Sequence, residues 1–447
     1  MAEHSSREAA VLAFLDDIAH LHMHGFLLSV NGETVAEGSW APFTAEKMHR
    51  MYSVSKSVVS LAIGILFGDG KLSLEDHIVD HFPEYADTAS DLLREVTIRD
   101  MLRMATCYDR ATYNVFQQDW TKTYFSAEPS HVPGTVFSYD TSASQVMCAL
   151  VEKLSGCDIL SFMEERLFSR IGMTDGKKWL RDGTGTSQGG TGLLLSLRDF
   201  GKLADFCLTD GMGIVPAEYL KAATSCQIQT PERGAREERY GYGYQFWQMR
   251  EGFSMYGMGG QMAMCLPERG ITLVTTGNMM MDGTAVQPLY DAFFRNLSRV
   301  DTLPSDVEKA KELGVRLSEL RFTPAGGTND RCCEIALAKG TLPFTHIRIE
   351  KDTVTMTVQG TDYTLPYQTD GWARGVFPTL TEHCLVSGGW AGERFHLHCE
   401  MDEDFTAAAD VYVVVKGERA TVRSVGTLFE MTPVSWNGQD YGNVLKL

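Results

Sequence analysis

No Cys-x-x-Cys pair occurs among the ten cysteines of this 447-residue sequence, which stand scattered at positions 107, 148, 157, 207, 226, 265, 332, 333, 384 and 399. That pattern argues against a cysteine-built zinc site and, in a chain this long, against a disulfide framework; free buried thiols are expected. Basic residues are in deficit, with 40 Lys and Arg against 58 Asp and Glu and a net charge of −18. This speaks against the clustered cationic surface that nucleic acid or an anionic membrane requires. Long apolar runs are missing too: the longest, from Val58 to Phe67, carries Ser60 and Gly64 and falls short of a bilayer span. Met1 to Glu8 show no basic segment leading into an apolar one, so no secretory signal is read and a cytoplasmic location is expected. Neither a repeat nor a low-complexity tract stands out.

What is present is ordered by hydrophobic period. Residues 7–22 place Ala9, Val11, Leu12, Leu15, Ile18, Ala19 and Leu21 near helical spacing, predicting an amphipathic first helix that ends at Gly25. Two β-rich runs, 26–30 and 33–37, flank Asn31-Gly32, a pair suited to a tight hairpin. The middle, from about 57 to 225, reads as helices and loops, with apolar faces over 57–68, 97–104, 142–154, 159–167 and 197–208. Strand patterns return at 254–266 and 271–277 around Pro267-Glu268-Arg269-Gly270, and a helix follows at 284–298. Strands at both ends of a helical block imply one mixed α/β domain, residues 1–302, whose sheet is completed by distant strands around a helical subdomain of about 70–225. A charged connecting helix at 303–320 leads to short strands separated by turns, for which a small all-β barrel or sandwich over 321–447 is expected.

Three segments carry candidate chemistry. Ser53-Val54-Ser55-Lys56 opens the apolar helix, and residues three apart share a helix face, so the Ser53 hydroxyl and the Lys56 amine can meet. A lysine buried there loses basicity and can take a serine proton. About one Ser-x-x-Lys is expected by chance in a chain of this length. The weight therefore comes from its place on a helix that must be central. Ser55 and Ser57 flank Lys56 and compete less well. Tyr139, in Pro133-Gly134-Thr135-Val136-Phe137-Ser138-Tyr139, sits where a loop enters a helix and can project a phenol into a cleft. Met255-Tyr256-Gly257-Met258-Gly259-Gly260-Gln261 enters a strand or makes a glycine-rich hairpin turn; glycine there permits close approach of backbone or substrate, and an exposed amide would pair with that of Ser53 as an oxyanion donor.

The order and spacing of Tyr52-Ser53-x-x-Lys56, Pro133-Gly134-Thr135-x-Phe137-x-Tyr139 and Gly257-x-x-Gly260-Gln261 resemble the class C β-lactamase and DD-peptidase-like superfamily over roughly residues 8–300. Leu72-Ser73-Leu74-Glu75-Asp76, Gly189-Gly190-Thr191-Gly192-Leu193 and Tyr240-Gly241-Tyr242-Gly243 look like its supporting segments. The resemblance implies Ser53 as nucleophile, Lys56 and Tyr139 as the proton-transfer pair, and the amides of Ser53 and Met258 as the oxyanion hole. Thr141, Tyr256 and Gly257 fall at its substrate-binding positions. The implied fold is α+β: an antiparallel sheet flanked by helices with an all-helical subdomain. The tail resembles the lipocalin-like β-barrel appended to some members.

Two departures bear on substrate. Where the family often has Tyr-x-Asn this chain has Tyr139-Asp140-Thr141, and where lactamases have Lys-Thr-Gly it has Met255-Tyr256-Gly257, with no cation to meet a β-lactam carboxylate. A small ester, amide or short peptide is the expected substrate, and penicillin a poor one. The alternatives are acyl transfer, peptide cyclisation or D-peptide cleavage at the same site, or a catalytically silent binding module. No metal or organic cofactor is implied, nor any nucleic acid or membrane partner. His20, His22 and His24 cluster near the N-terminus, and His396 and His398 alternate on an expected strand. With no carboxylate or third ligand apparent beside the latter pair, packed or surface histidines are expected at both places. The 21 methionines fit irregular cores.

Overall fold

The computed structural model describes residues 4–113, 117–231, 234–282, 286–337, 339–340, 342–378, 383–402, 407–428 and 436–444. It divides into two compact units, the first of Met1–Met279 and Thr284–Leu320, the second of Met280–Gly283 and Arg321–Leu447.

The first unit is built on a six-stranded antiparallel sheet. Its strands are β1 (Met23–Val30), β2 (Glu33–Ser39), β6 (Trp247–Gln248), β7 (Phe253–Gly257), β8 (Gln261–Leu266) and β9 (Ile271–Gly277), in the order β2-β1-β9-β8-β7-β6. Asn31, at φ 53°, and Gly32, at φ 77°, turn the first hairpin in the left-handed region that this pair tolerates. Distant strands complete the sheet as the periodicity implied: Phe26 of β1 lies opposite Thr275 of β9.

Because both faces of the sheet are covered, its central strands are apolar without interruption. On β8, Ala263 and Cys265 enter one core while Met262, Met264 and Leu266 enter the other. The first core holds α2 (Val54–Gly68), α3 (Thr141–Ser155) and α4 (Leu197–Phe206). The second holds α1 (Arg7–Asp17), the helical turns of 287–297 and Leu313 of α5 (Val307–Ser318). Helix α1 stops at Asp17 rather than continuing through residue 22 to Gly25, because Met23 already pairs in β1. The segment 254–266 is two strands, not one, with residues 258–260 turning between them at Gly259 and Gly260, whose φ values are 83° and 94°. A small sheet of β3 (His49–Arg50), β4 (Lys178–Trp179) and β5 (Leu193–Leu195) ties the segment just before α2 to residues more than a hundred positions on.

The second unit contains a four-stranded sheet, β10 (Cys333–Ala336), β12 (His346–Ile349), β13 (Thr353–Val358) and β14 (Thr361–Pro366). A seven-stranded sheet joins β11 (Lys339–Gly340), β15 (Ala373–Val376), β16 (His383–Ala391), β17 (Arg394–Met401), β18 (Ala408–Lys416), β19 (Arg419–Leu428) and β20 (Trp436–Val444). Ile347, Val354 and Leu365 of the smaller sheet share one core with Val386, Leu397, Val411 and Val413 of the larger. Among the described residues the pairing does not close on itself, so the lipocalin-like barrel gives way to the sandwich. Strand alternation alone does not distinguish these, since either architecture buries every second residue.

The histidine expectation also needs correction. His396 and His398 do have carboxylates beside them: Asp410, on the neighbouring strand β18 and directly opposite His398, and Glu400, two residues further along β17.

Candidate active site

Chain geometry at Ser53 is set by the residue before it. Tyr52 adopts φ 45°, a left-handed conformation unusual for a large side chain, and Ser53 then caps α2. The Ser53 side chain makes no capping bond to the helix, which itself remains buried from Val54 to Leu66.

Lys56, one turn into α2, is wholly buried. Its Nζ lies 2.9 Å from Ser53 Oγ and donates to the Gly190 carbonyl at 2.7 Å. Burial pushes its pKa down to about 7, against an opposing pull from the Asp140 carboxylate. A neutral amine that gives one N–H to Gly190 retains a lone pair for the serine proton. Gly190 has to be glycine: a Cβ would lie 2.3 Å from Thr141 Cγ2 and 3.3 Å from Lys56 Nζ. The other two serines are engaged elsewhere, Ser55 Oγ accepting from the Leu193 amide at 3.0 Å and Ser57 Oγ donating to the Gln245 carbonyl at 2.6 Å.

Tyr139 comes just before the cap of α3, and the Lys56 amine is 5.1 Å from the centroid of its ring. Trp247 stacks on that ring at 5.5 Å and Tyr242 meets it edge-on at 6.2 Å. Phe137 and the half-buried Tyr256 pack on the same aromatic group. A hollow of about 790 Å³ adjoins it, lined by Val136, Phe137, Tyr139, Ile228 and Gln229 among others.

The end of β7 approaches Ser53 through backbone contact. At Gly257 a Cβ would fall 2.0 Å from the Met51 carbonyl oxygen, so only glycine lets the strand run against the residues preceding Ser53. Gln261 then secures the turn: its Nε2 donates to the Met258 and Gly277 carbonyls at 3.0 and 2.7 Å, and its Oε1 accepts from the Gly277 amide at 3.2 Å. Among the described residues, neither the Ser53 nor the Met258 amide donates to a backbone carbonyl, which leaves both as possible donors to a ligand. Met255 points into the core and is fully buried.

The structure thus gathers Ser53, Lys56, Tyr139, Thr141 and Gly190 around one point, with Gly257 packed on the approach to Ser53. Thr141 is half-buried at the first turn of α3, its methyl against Gly190. Asp140, to which the sequence assigned no role, stands beside them. It is fully buried, caps α3 by accepting from the Ser142 amide at 2.8 Å, and leaves Oδ2 without a hydrogen bond. Burial pushes its pKa up to about 6, opposed by its bonds to the start of α3 and by Lys56. Aspartate ahead of an apolar helix is an N-cap signal, but its burial beside Lys56 was not legible. Nor was the wall formed by Tyr242, from the Tyr240-Gly241-Tyr242-Gly243 segment, and Trp247 of β6, since nothing in their order showed that both rings would meet Tyr139.

The Beta-lactamase family model matches residues 19–287, more than half of the chain and every residue just described. The chain belongs to that family. Solved structures agree in fold. The octameric penicillin-binding protein homologue from Pyrococcus abyssi is 16% identical with a TM-score of 0.53, over 97% of this chain and 99% of its own. A penicillin-binding protein homologue from Caulobacter crescentus is 16% identical at 0.51, over 62% and 93%. EstCE1, described as a hydrolase with promiscuous acyltransferase activity, is 17% identical at 0.51, over 64% and 97%. No curated protein sequence matches. Ser53, Lys56, Tyr139, Met255 and Tyr256 all lie within the span matched to the Beta-lactamase family. Among the described residues, no helix is long and apolar enough to cross a membrane.

Proposed function

We propose that this chain is a serine hydrolase that cleaves small uncharged esters or amides through an acyl-enzyme on Ser53. The observation that carries this reading is the buried Lys56 amine, held between Ser53 Oγ and the Gly190 carbonyl with its pKa near neutrality. In the acylation step Ser53 Oγ attacks the carbonyl carbon while its proton passes to Lys56 Nζ. The Ser53 and Met258 amides stabilise the oxyanion. Collapse breaks the bond to the leaving group, which takes the proton back by way of Lys56 or Tyr139, and water then releases the acid from Ser53.

Two features support an uncharged substrate. Met255 replaces the lysine that would pair with a carboxylate and is itself in the core, and the wall beside Tyr139 is aromatic. The same acyl-enzyme would serve acyl transfer if an amine displaced water.

The test is labelling with a fluorophosphonate probe, followed by a panel of nitrophenyl esters, D- and L-aminoacyl anilides and nitrocefin, with and without an amine acceptor. Labelling of the wild type and not of Ser53→Ala, with ester or anilide turnover, is expected. No labelling of either protein would favour a silent binding module, and efficient nitrocefin turnover would overturn the substrate assignment.

A further inference from the structure

The second unit contains a group of side chains that the proposed hydrolysis does not use. On β17 the odd-numbered Phe395, Leu397, Cys399 and Met401 fill the sandwich core, which places His396, His398 and Glu400 together on the opposite face. Asp410 joins them from β18, whose Ala409, Val411 and Val413 likewise face the core. His396 Nε2 lies 2.6 Å and His398 Nδ1 2.8 Å from the same Asp410 Oδ1. His398 Nε2 is 3.2 Å from Glu400 Oε2. Glu400 is fully buried, and His398 and Asp410 are each 7% exposed.

Two carboxylates and two imidazoles on a sheet face are costly to bury, and a structural role in packing would be met more cheaply by apolar residues. The arrangement has the features of a ligand set instead. Three donor atoms, from His396, His398 and Asp410, all lie within 4.8 Å of one another. Glu400 binds the far nitrogen of His398, the outer carboxylate that commonly fixes the tautomer and direction of a metal-bound histidine. Tyr412 stacks on His396 at 4.5 Å and Trp372 meets His398 edge-on at 5.6 Å, holding both rings. The His396 side chain is 28% exposed and supplies a way in.

We propose that His396, His398 and Asp410 bind a divalent transition-metal ion of the zinc type, with Glu400 orienting His398 and a fourth position open to water. Two nitrogens and one carboxylate oxygen suit zinc or cobalt better than magnesium or calcium, which take oxygen ligands. Tetrahedral ligands of such an ion sit about 3.3 Å apart, so entry of the ion requires both imidazoles, now 2.6 and 2.8 Å from Asp410 Oδ1, and that carboxylate to separate by about half an ångström or more.

The test uses the full chain, stripped with chelator and titrated with Zn²⁺ by calorimetry and with Co²⁺ by visible absorption. One ion per chain is expected, with cobalt d–d bands and no thiolate charge-transfer band. His396→Gln and Asp410→Asn should each weaken binding about tenfold or more, with folding checked by circular dichroism. His396→Gln, at the exposed edge, carries the comparison if Asp410→Asn does not fold. Absence of stoichiometric binding by the wild type, unchanged affinity in His396→Gln, or a thiolate band placing the ion on the exposed cysteines would each overturn the proposal.

Discussion

Lys56 Nζ donates at 2.7 Å to the carbonyl of Gly190, a residue 134 positions further along the chain. The bond occupies one N–H of the amine, and the amine is thereby aimed at Ser53 Oγ, 2.9 Å away. A base held in this way cannot be replaced by a group of similar charge alone. Lys56→Ala and Lys56→Arg are both expected to lower kcat/KM for an ester by about 10²- to 10⁴-fold, since arginine does not deprotonate in a protein. Steady-state kinetics alongside the rate of fluorophosphonate labelling checks this; a substantially active Lys56→Arg would exclude the amine as base.

Acylation should follow the neutral form of Lys56. With its pKa pushed down to about 7, kcat/KM is expected to rise with pH and level off above neutrality. Asp140 favours the protonated amine, so Asp140→Asn, which keeps the helix cap, should move the rising limb to lower pH. Profiles of kcat/KM against pH for both proteins on one ester decide the matter. A limb that stays put or moves upward would remove Asp140 from this role.

The same lysine links stability to pH. Between about 7 and its unfolded value near 10.5 the unfolded chain holds a proton at Lys56 that the folded chain does not, so stability should increase with pH across that window. Lys56→Met abolishes the linkage. Unfolding free energies from urea melts should rise between pH 7 and 9.5 in the wild type relative to Lys56→Met, by up to about 1.4 kcal/mol per pH unit; parallel curves would show that Lys56 is charged when folded.

Gly257→Ala puts a methyl 2.0 Å from the Met51 carbonyl oxygen, a backbone atom that cannot rotate away. Loss of about 1–3 kcal/mol is expected, with a fall in kcat because β7 is pushed off the segment leading to Ser53. Gly314→Ala, in α5 with nothing within 4 Å of the added carbon, should be neutral or slightly stabilising. Thermal melts and ester kinetics of the two variants make the comparison. Equal behaviour would show that the strand yields.

Features that depend on near neighbours were legible from residue order. Ser53 and Lys56 share a face because helix geometry dictates it, and Asn31-Gly32 turns a hairpin because both residues accept a positive φ. The apolar run over 254–266 foretold β structure but left open whether its glycines lay within a strand or turned a hairpin; the structure divides β7 from β8 at Gly259 and Gly260. In the second unit, strand patterns announced an all-β region, while closure into a barrel or packing as a sandwich depends on which edges meet.

The contacts that give the candidate site its chemistry lie beyond that local range. The Gly190 carbonyl, the buried Asp140 carboxylate and the ring of Trp247 converge on Lys56 and Tyr139 through packing across α2, α3 and the sheet. Asp410 meets His396 and His398 only through the register of β17 on β18. Spacing along the chain fixes which side chains share a face of one element, because the backbone repeat is invariant. Which faces then oppose each other, and how far water is excluded between them, is a property of the assembled core. For Lys56, that exclusion moves the amine from a charged surface group to a candidate base.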